Sequence, residues 1–170
     1  MDLFHTLTEL IDLRSFSNLW YWIALAVVWS SASHWVMGVP FDMVYRARKQ
    51  GGQAALDLEA IARVNVNRML YINHLSGMWL LGVICFVLSG LAVLGFYYFV
   101  EFAQALFLIG FPMSLVGLVN LTGARRIRAE DLQGMDLIKR LNRCRIDTQI
   151  IGMVSIFVTA LWGMYQNLSI

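Results

Sequence analysis

The stretch "WSSASHWVMGVPFDMVYRARK" sets Ser30, Ser31, Ser33 and His34 into the end of an otherwise apolar run. Asn73 with His74, Asn120, and Asp147 with Thr148 and Gln149 stand at comparable places in the other apolar runs. Two histidines and an aspartate could ligate a divalent cation or relay protons, because imidazole titrates near neutral pH. Ionisable groups inside a bilayer are costly and often mark ion paths. The competing interpretation is a hydrogen-bonded helix interface in which neutral His34 bonds Ser or Asn across helices, worth about 1 kcal/mol per bond. No carboxylate lies deep in an apolar run, Asp147 stands only at an edge, and His74 reads as interfacial. The weight therefore falls on packing.

Other chemistry is absent. The chain carries no phosphate-binding glycine loop, dinucleotide fingerprint, HExxH or GxSxG motif. Cys85 and Cys144 are far apart and without CxxC spacing, so no disulfide and no iron–sulfur cluster is expected within one chain. The histidines lack the facing placement that would hold a haem pair. These observations point away from an enzyme, with no catalytic residues, cofactor or resident metal.

The remaining candidates are basic. "YRARK" offers Arg46, Arg48 and Lys49, "ARRIR" offers Arg125, Arg126 and Arg128, and "KRLNRCR" adds a third run. They could meet anionic lipid phosphates, each charge near the surface being worth about 1 kcal/mol, or serve only as topology determinants. Nucleic acid is disfavoured by interleaved acids and the lack of a stacking platform. Cys144, between Arg143 and Arg145, sits in a setting that favours thiolate.

The elements that must position these residues are membrane helices. Hydrophobic residues make up 59% of the 170, charged residues only 14%, and the mean hydropathy is +0.63. Soluble chains carry about a quarter charged residues. Four spans are expected, at 19–39, 75–98, 102–121 and 148–167, each near the ~20 residues a bilayer demands. The second and third form a hairpin turning near Gly95–Glu101, in the aromatic run "GFYYFVEF". Before the first span, "MDLFHTLTELIDLRSFSN" has no basic leader region and reads as an interfacial helix over 1–18, with Ser17 or Asn18 capping the span.

Of thirteen Lys and Arg, all but Arg14 fall in 39–73 and 122–147. Basic flanks stay in the cytoplasm, so a bacterial inner-membrane protein with both termini periplasmic is expected. Each basic segment carries a helical stripe. Ala54, Ala55, Leu58, Ile61, Ala62, Met69 and Ile72 share one face, with a Glu59–Arg63 pair. Leu137, Leu141, Cys144 and Ile151 share another, with an Asp136–Arg140 pair. No breaker separates either stripe from its following span, so spans two and four should continue as helices into the cytoplasm. Connectors are expected at "RARKQGGQ" and at "LTGARR", the latter stopped by Gly123.

Helices in lipid associate through small residues. The spans offer Ala26, Ser30, Ser33; Gly82, Cys85, Ser89, Ala92; Ala103, Gly110, Ser114, Gly117; and Gly152, Ser155, Thr159, Gly163. The fold expected is an all-α four-transmembrane-helix bundle with a dry centre, two cytoplasmic helical extensions and bulky residues such as Trp22, Trp35 and Trp79 facing lipid or partners. Pro112 should kink the third span, its freed carbonyl taken up by a nearby hydroxyl. "NRMLYINHLSGM" and "NRCRIDTQIIGM" align without gaps, which fits a parallel internal repeat and fits coincidence equally well.

"IDLRSFSNLWYWIALAVVWS" followed by "ASHWVMGVPFDMVYRAR" resembles a small group of bacterial inner-membrane proteins labelled "component of SufBCD complex". The resemblance covers the first third of the chain and implies a link to iron–sulfur assembly, for which the residues supply neither ligands nor a nucleotide site. It carries no residue roles over. The expected function is association: with itself, with anionic lipid, or as accessory to a larger membrane complex. The alternative is a small ion, proton or solute transporter or channel with a path between protomers involving His34.

Overall fold

The computed structural model describes residues 15–168, and the expected interfacial helix over 1–18 lies almost wholly outside them. A 3₁₀ turn, Ser15–Ser17, leads into α1 (Leu19–His34), whose first turn is capped by Asn18 accepting from the Trp20 N–H at 3.0 Å. Two short strands follow, β1 (Trp35–Val36) and β2 (Val39–Pro40), then α2 (Phe41–Gln50), α3 (Gly52–Ala92), α4 (Glu101–Ala129) and α5 (Gly134–Leu168). Apart from these strands and short turns the described residues are helical, and three helical stretches, at 52–97, 101–129 and 134–168, are long and apolar enough to cross a membrane.

The first expected span is corrected. Its helix stops at His34 after 16 residues, about 24 Å at ~1.5 Å per residue. The chain then reverses in an antiparallel hairpin pairing Trp35 with Pro40 and Val36 with Val39. Met37 and Gly38 form its turn with φ of 51° and 74°, the left-handed pair that a tight hairpin needs. Val36, Met37 and Val39 are apolar because they are buried in protein, not in lipid. Hydropathy alone does not separate the two solvents.

The continuous helices are observed as expected. α3 has 41 residues and α5 has 35, roughly 62 and 52 Å long, well beyond the ~30 Å hydrocarbon core. Gly51 and Gly52, with φ of 59° and 50°, turn the chain between α2 and α3. The connector expected at Gly123 does not exist. α4 runs through it to Ala129, since one helical glycine costs only about 1 kcal/mol. A Cβ at Gly123 would lie 2.7 Å from the Cys144 Sγ, so this glycine serves close helix approach. The true turn follows Ala129, with Asp131 and Gly134 at positive φ.

The larger core sits at the basic end. β1, β2, α2 and the charged arms of α3, α4 and α5 close around Val36, Val44, Leu58, Ala62, Ile127, Leu137 and Leu141. Ile72, expected on that face, is 44% exposed. Neither expected ion pair forms: Glu59 accepts from the Gly134 N–H, and Asp136 pairs with Lys139 at 3.1 Å. A second cluster, Leu25, Trp29 and Val116, joins α1 to α4 and α5.

The small-residue expectation holds fully for one helix. On α5, Gly152, Ser155, Thr159 and Gly163 are all buried, and Trp29 and Phe16 fill the room left at the two glycines. Large rings from one side fit small sockets on the other, so α1 packs with Leu25, Trp29 and half-buried Trp22 while Ala26 and Ser30 face outward. Trp22 was expected toward lipid; its Nε1–H instead donates to the Phe16 carbonyl at 3.1 Å. On α3, Gly82, Cys85 and Ser89 are exposed, whereas on α4 Ala103 is buried and Gly117 is not. Four small edges therefore do not converge on one axis within a single chain.

Candidate functional site

Three cross-helix contacts fix the register at the basic end: Gln149 Nε2 to Ser33 Oγ at 3.1 Å, Gly123 against Cys144, and Arg128 Nη1 to Asn67 Oδ1 at 2.6 Å. That register puts Ser33, His34, Asn73, His74, Asn120 and Asp147 in one layer, as their positions in the sequence suggest. Sharing a layer does not bring them together. Ser30, His34 and His74 are exposed, His34 lying edge-on to Trp35 at 5.7 Å. Asn73 folds along its own helix, its Oδ1 2.8 Å from where a Cβ on Gly77 would stand. Thr148 donates back to the Cys144 carbonyl at 2.9 Å. What remains is the Ser33–Gln149 bridge between α1 and α5, and Asn120, whose Oδ1 is buried without a hydrogen-bond partner. Among the described residues, no three His, Cys, Asp or Glu side chains are grouped to hold a metal ion.

The strongest polar centre lies at the opposite end and was not anticipated. Gln104 is 0% exposed on α4. Its Nε2 donates to the Gly95 carbonyl at 2.8 Å, and its Oε1 accepts from Trp162 Nε1 at 2.9 Å and Gln166 Nε2 at 2.7 Å. One amide thus ties the π-turn of Val93–Tyr97 to α4 and α5. Gly95 must be glycine, because a Cβ there would come 2.9 Å from the Gln104 backbone nitrogen. The signal was available: a lone glutamine in the apolar run "FAQALFL" has to find partners in lipid.

Midway between these layers Pro112 interrupts α4 and frees the Leu108 carbonyl. Ser155 Oγ donates to that carbonyl at 3.3 Å, supplying the expected hydroxyl.

The basic candidates divide. Arg126 pairs with Glu130 at 2.9 Å and Arg128 is held by Asn67. Arg46, Arg48, Lys49 and Arg125 are exposed. Arg145 stacks on Phe41, its guanidinium carbon 3.7 Å from the ring centroid. The expectation for Cys144 is corrected: it is 1% exposed, and burial pushes its thiol pKa up despite the nearby Arg140 charge. It packs as a small hydrophobe. Both cysteines are free thiols.

Against protein-family models, curated proteins and solved structures the chain gives no match.

Proposed function

We propose that this is a non-enzymatic tetraspan protein of the bacterial inner membrane that works by association, with a second copy, with anionic lipid or with a larger membrane complex. On this reading α1 is the fourth span, short but lengthened by the turn before it, and the basic core lies in the cytoplasm with both termini periplasmic. Neither the resemblance to the SufBCD-labelled group nor a bound cofactor is needed for it.

The observation that carries the reading is the open small-residue face of α3. Only 6% of the most apolar window of that helix is buried, against 28% on α5. Gly82 and Gly90 have nothing within 4 Å of a would-be Cβ. Small residues that allow close backbone approach gain nothing against lipid and gain most against another helix. Exposed Cys85 on the same helix reports on this directly, because Cys144 is buried. Oxidative cross-linking in membrane vesicles should trap Cys85 adducts, and Gly82→Ile should abolish them. Absence of Cys85 adducts in wild type, with a proteoliposome ion flux that His34→Leu abolishes, would overturn association in favour of transport.

A further inference from the structure

Between α4 and α5, beside Pro112, an open groove of about 290 Å³ runs along the outer surface. Phe107, Phe111, Pro112 and Leu115 form one wall, Val154 and Val158 the other, and the lining is almost entirely hydrocarbon. The groove lies within two of the three stretches apolar enough to cross a membrane. Its lower end does not stay apolar. Steps of three or four residues carry the groove face of α5 from Val154 through Ile150 to Asp147, Arg143 and Arg140. The same steps carry the face of α4 from Leu115 to Thr122 and Arg126.

We propose that this groove and its mouth hold one anionic phospholipid, the acyl chain along Phe111, Leu115 and Val154 and the phosphate against Arg126 and Arg143. The inference rests on the reading above, that the chain is a membrane protein whose basic end meets the lipid surface. Val154 stands roughly 16 Å along the axis from Arg143 at ~1.5 Å per residue. Half of a hydrocarbon core is roughly 15 Å. A headgroup at Arg143 therefore places the middle of the groove at the end of a one-leaflet chain.

Charge selects the headgroup. Helical spacing sets three arginines on the faces that continue to the mouth, with Asp147 among them and Glu130 paired to Arg126, so the local balance is positive. Arg140 also carries a buried Nε–H with no partner in the protein. A phosphate oxygen is the acceptor that a guanidinium takes best, often through two parallel bonds. A zwitterionic headgroup would bring its own cation against the arginines and lose that advantage.

The test uses the full chain in mild detergent, with phosphatidylglycerol and phosphatidylcholine offered in equal amounts and retained lipid counted by native mass spectrometry. Wild type should retain phosphatidylglycerol preferentially. The double variant Arg126→Gln/Arg143→Gln should lower that retention about thirtyfold, at about fivefold per surface charge, and leave phosphatidylcholine unchanged. Val154→Trp fills the groove at an exposed position while keeping every charge, and should also lower phosphatidylglycerol retention. Arg63→Gln/Arg68→Gln, two exposed arginines of α3 off the groove, should lower it far less than the mouth variant does. Loss in the mouth variant with none in Val154→Trp would reduce the site to a headgroup contact and overturn the groove. Wild-type retention in both would overturn the site while leaving association by Cys85 cross-linking intact. No preference in wild type would overturn lipid selection altogether.

Discussion

Replacing Gln104 by leucine tests whether one amide holds the outer end of the fold. The substitution keeps the volume and adds apolar surface, so a purely hydrophobic account expects no loss. The structure expects one, because the Gly95 carbonyl, the Trp162 N–H and the Gln166 amide each lose their bond to Gln104. Interhelical hydrogen bonds in membrane proteins average ~0.6 kcal/mol and reach ~1.7. Three bonds then give about 2 kcal/mol, with roughly 5 as the ceiling. Reversible unfolding in mixed micelles, followed by tryptophan fluorescence, measures this. Trp162 itself should shift its emission, since its indole N–H is freed and its ring leaves the edge contact with Phe96 at 5.4 Å. Gln104→Glu should do no better, because an ionised carboxylate at this fully buried position loses the donor and sets its charge against the Gly95 carbonyl. Stability of Gln104→Leu equal to or above wild type would refute the reasoning.

Other outcomes follow from the same contacts. Ser155→Ala should cost about 1 kcal/mol in wild type and much less in a Pro112→Ala background, where the Leu108 carbonyl regains its backbone donor; a double-mutant cycle reads the coupling. Gly123→Ala should destabilise by about 1–3 kcal/mol through the close Cys144 Sγ, and Cys144→Ala should restore most of that loss in the same unfolding assay. Because burial raises the Cys144 pKa, the folded form resists ionisation that the unfolded form accepts. This thiol's stabilisation is whole below its ordinary pKa of 9.0 and is lost as pH climbs through the higher folded value. Wild type should therefore weaken at alkaline pH more than Cys144→Ala does, and maleimide labelling of Cys144 should lag until unfolding.

Long apolar runs, the absence of breakers ahead of 75 and 148, and the paired glycines at 51 and 52 were enough to read α3, α5 and the turn between α2 and α3. Periodicity also found the Leu58–Ala62 and Leu137–Leu141–Cys144 faces. It failed where lipid and protein interior look alike to a hydropathy scale, as at Trp35–Val39, and where small residues were assumed to seek each other. Gly152 and Gly163 instead receive rings, and nothing in the composition of α5 announces that its partner is aromatic. The polar residues around His34 share a layer but do not meet, since a helix turns neighbours 100° apart and position along the axis says nothing of azimuth. Gln104 stands out in the sequence as a lone amide in an apolar run, but the run itself does not name its partners Gly95, Trp162 and Gln166.

The sockets for α1 lie on α5, which is synthesised after every other described helix. Trp29 waits for Gly152, and Phe16 for Gly163, across about 120 and 150 residues of chain. At ~5–20 residues per second of synthesis, that is a delay of roughly 6–30 s. During it the indole side of α1 is unseated, and the helix is held through the hairpin, α2 and, once made, Val116 of α4. Ribosome-bound chains halted before residue 150 should therefore leave this helix open to membrane insertases and quality-control proteases, and release should close that window.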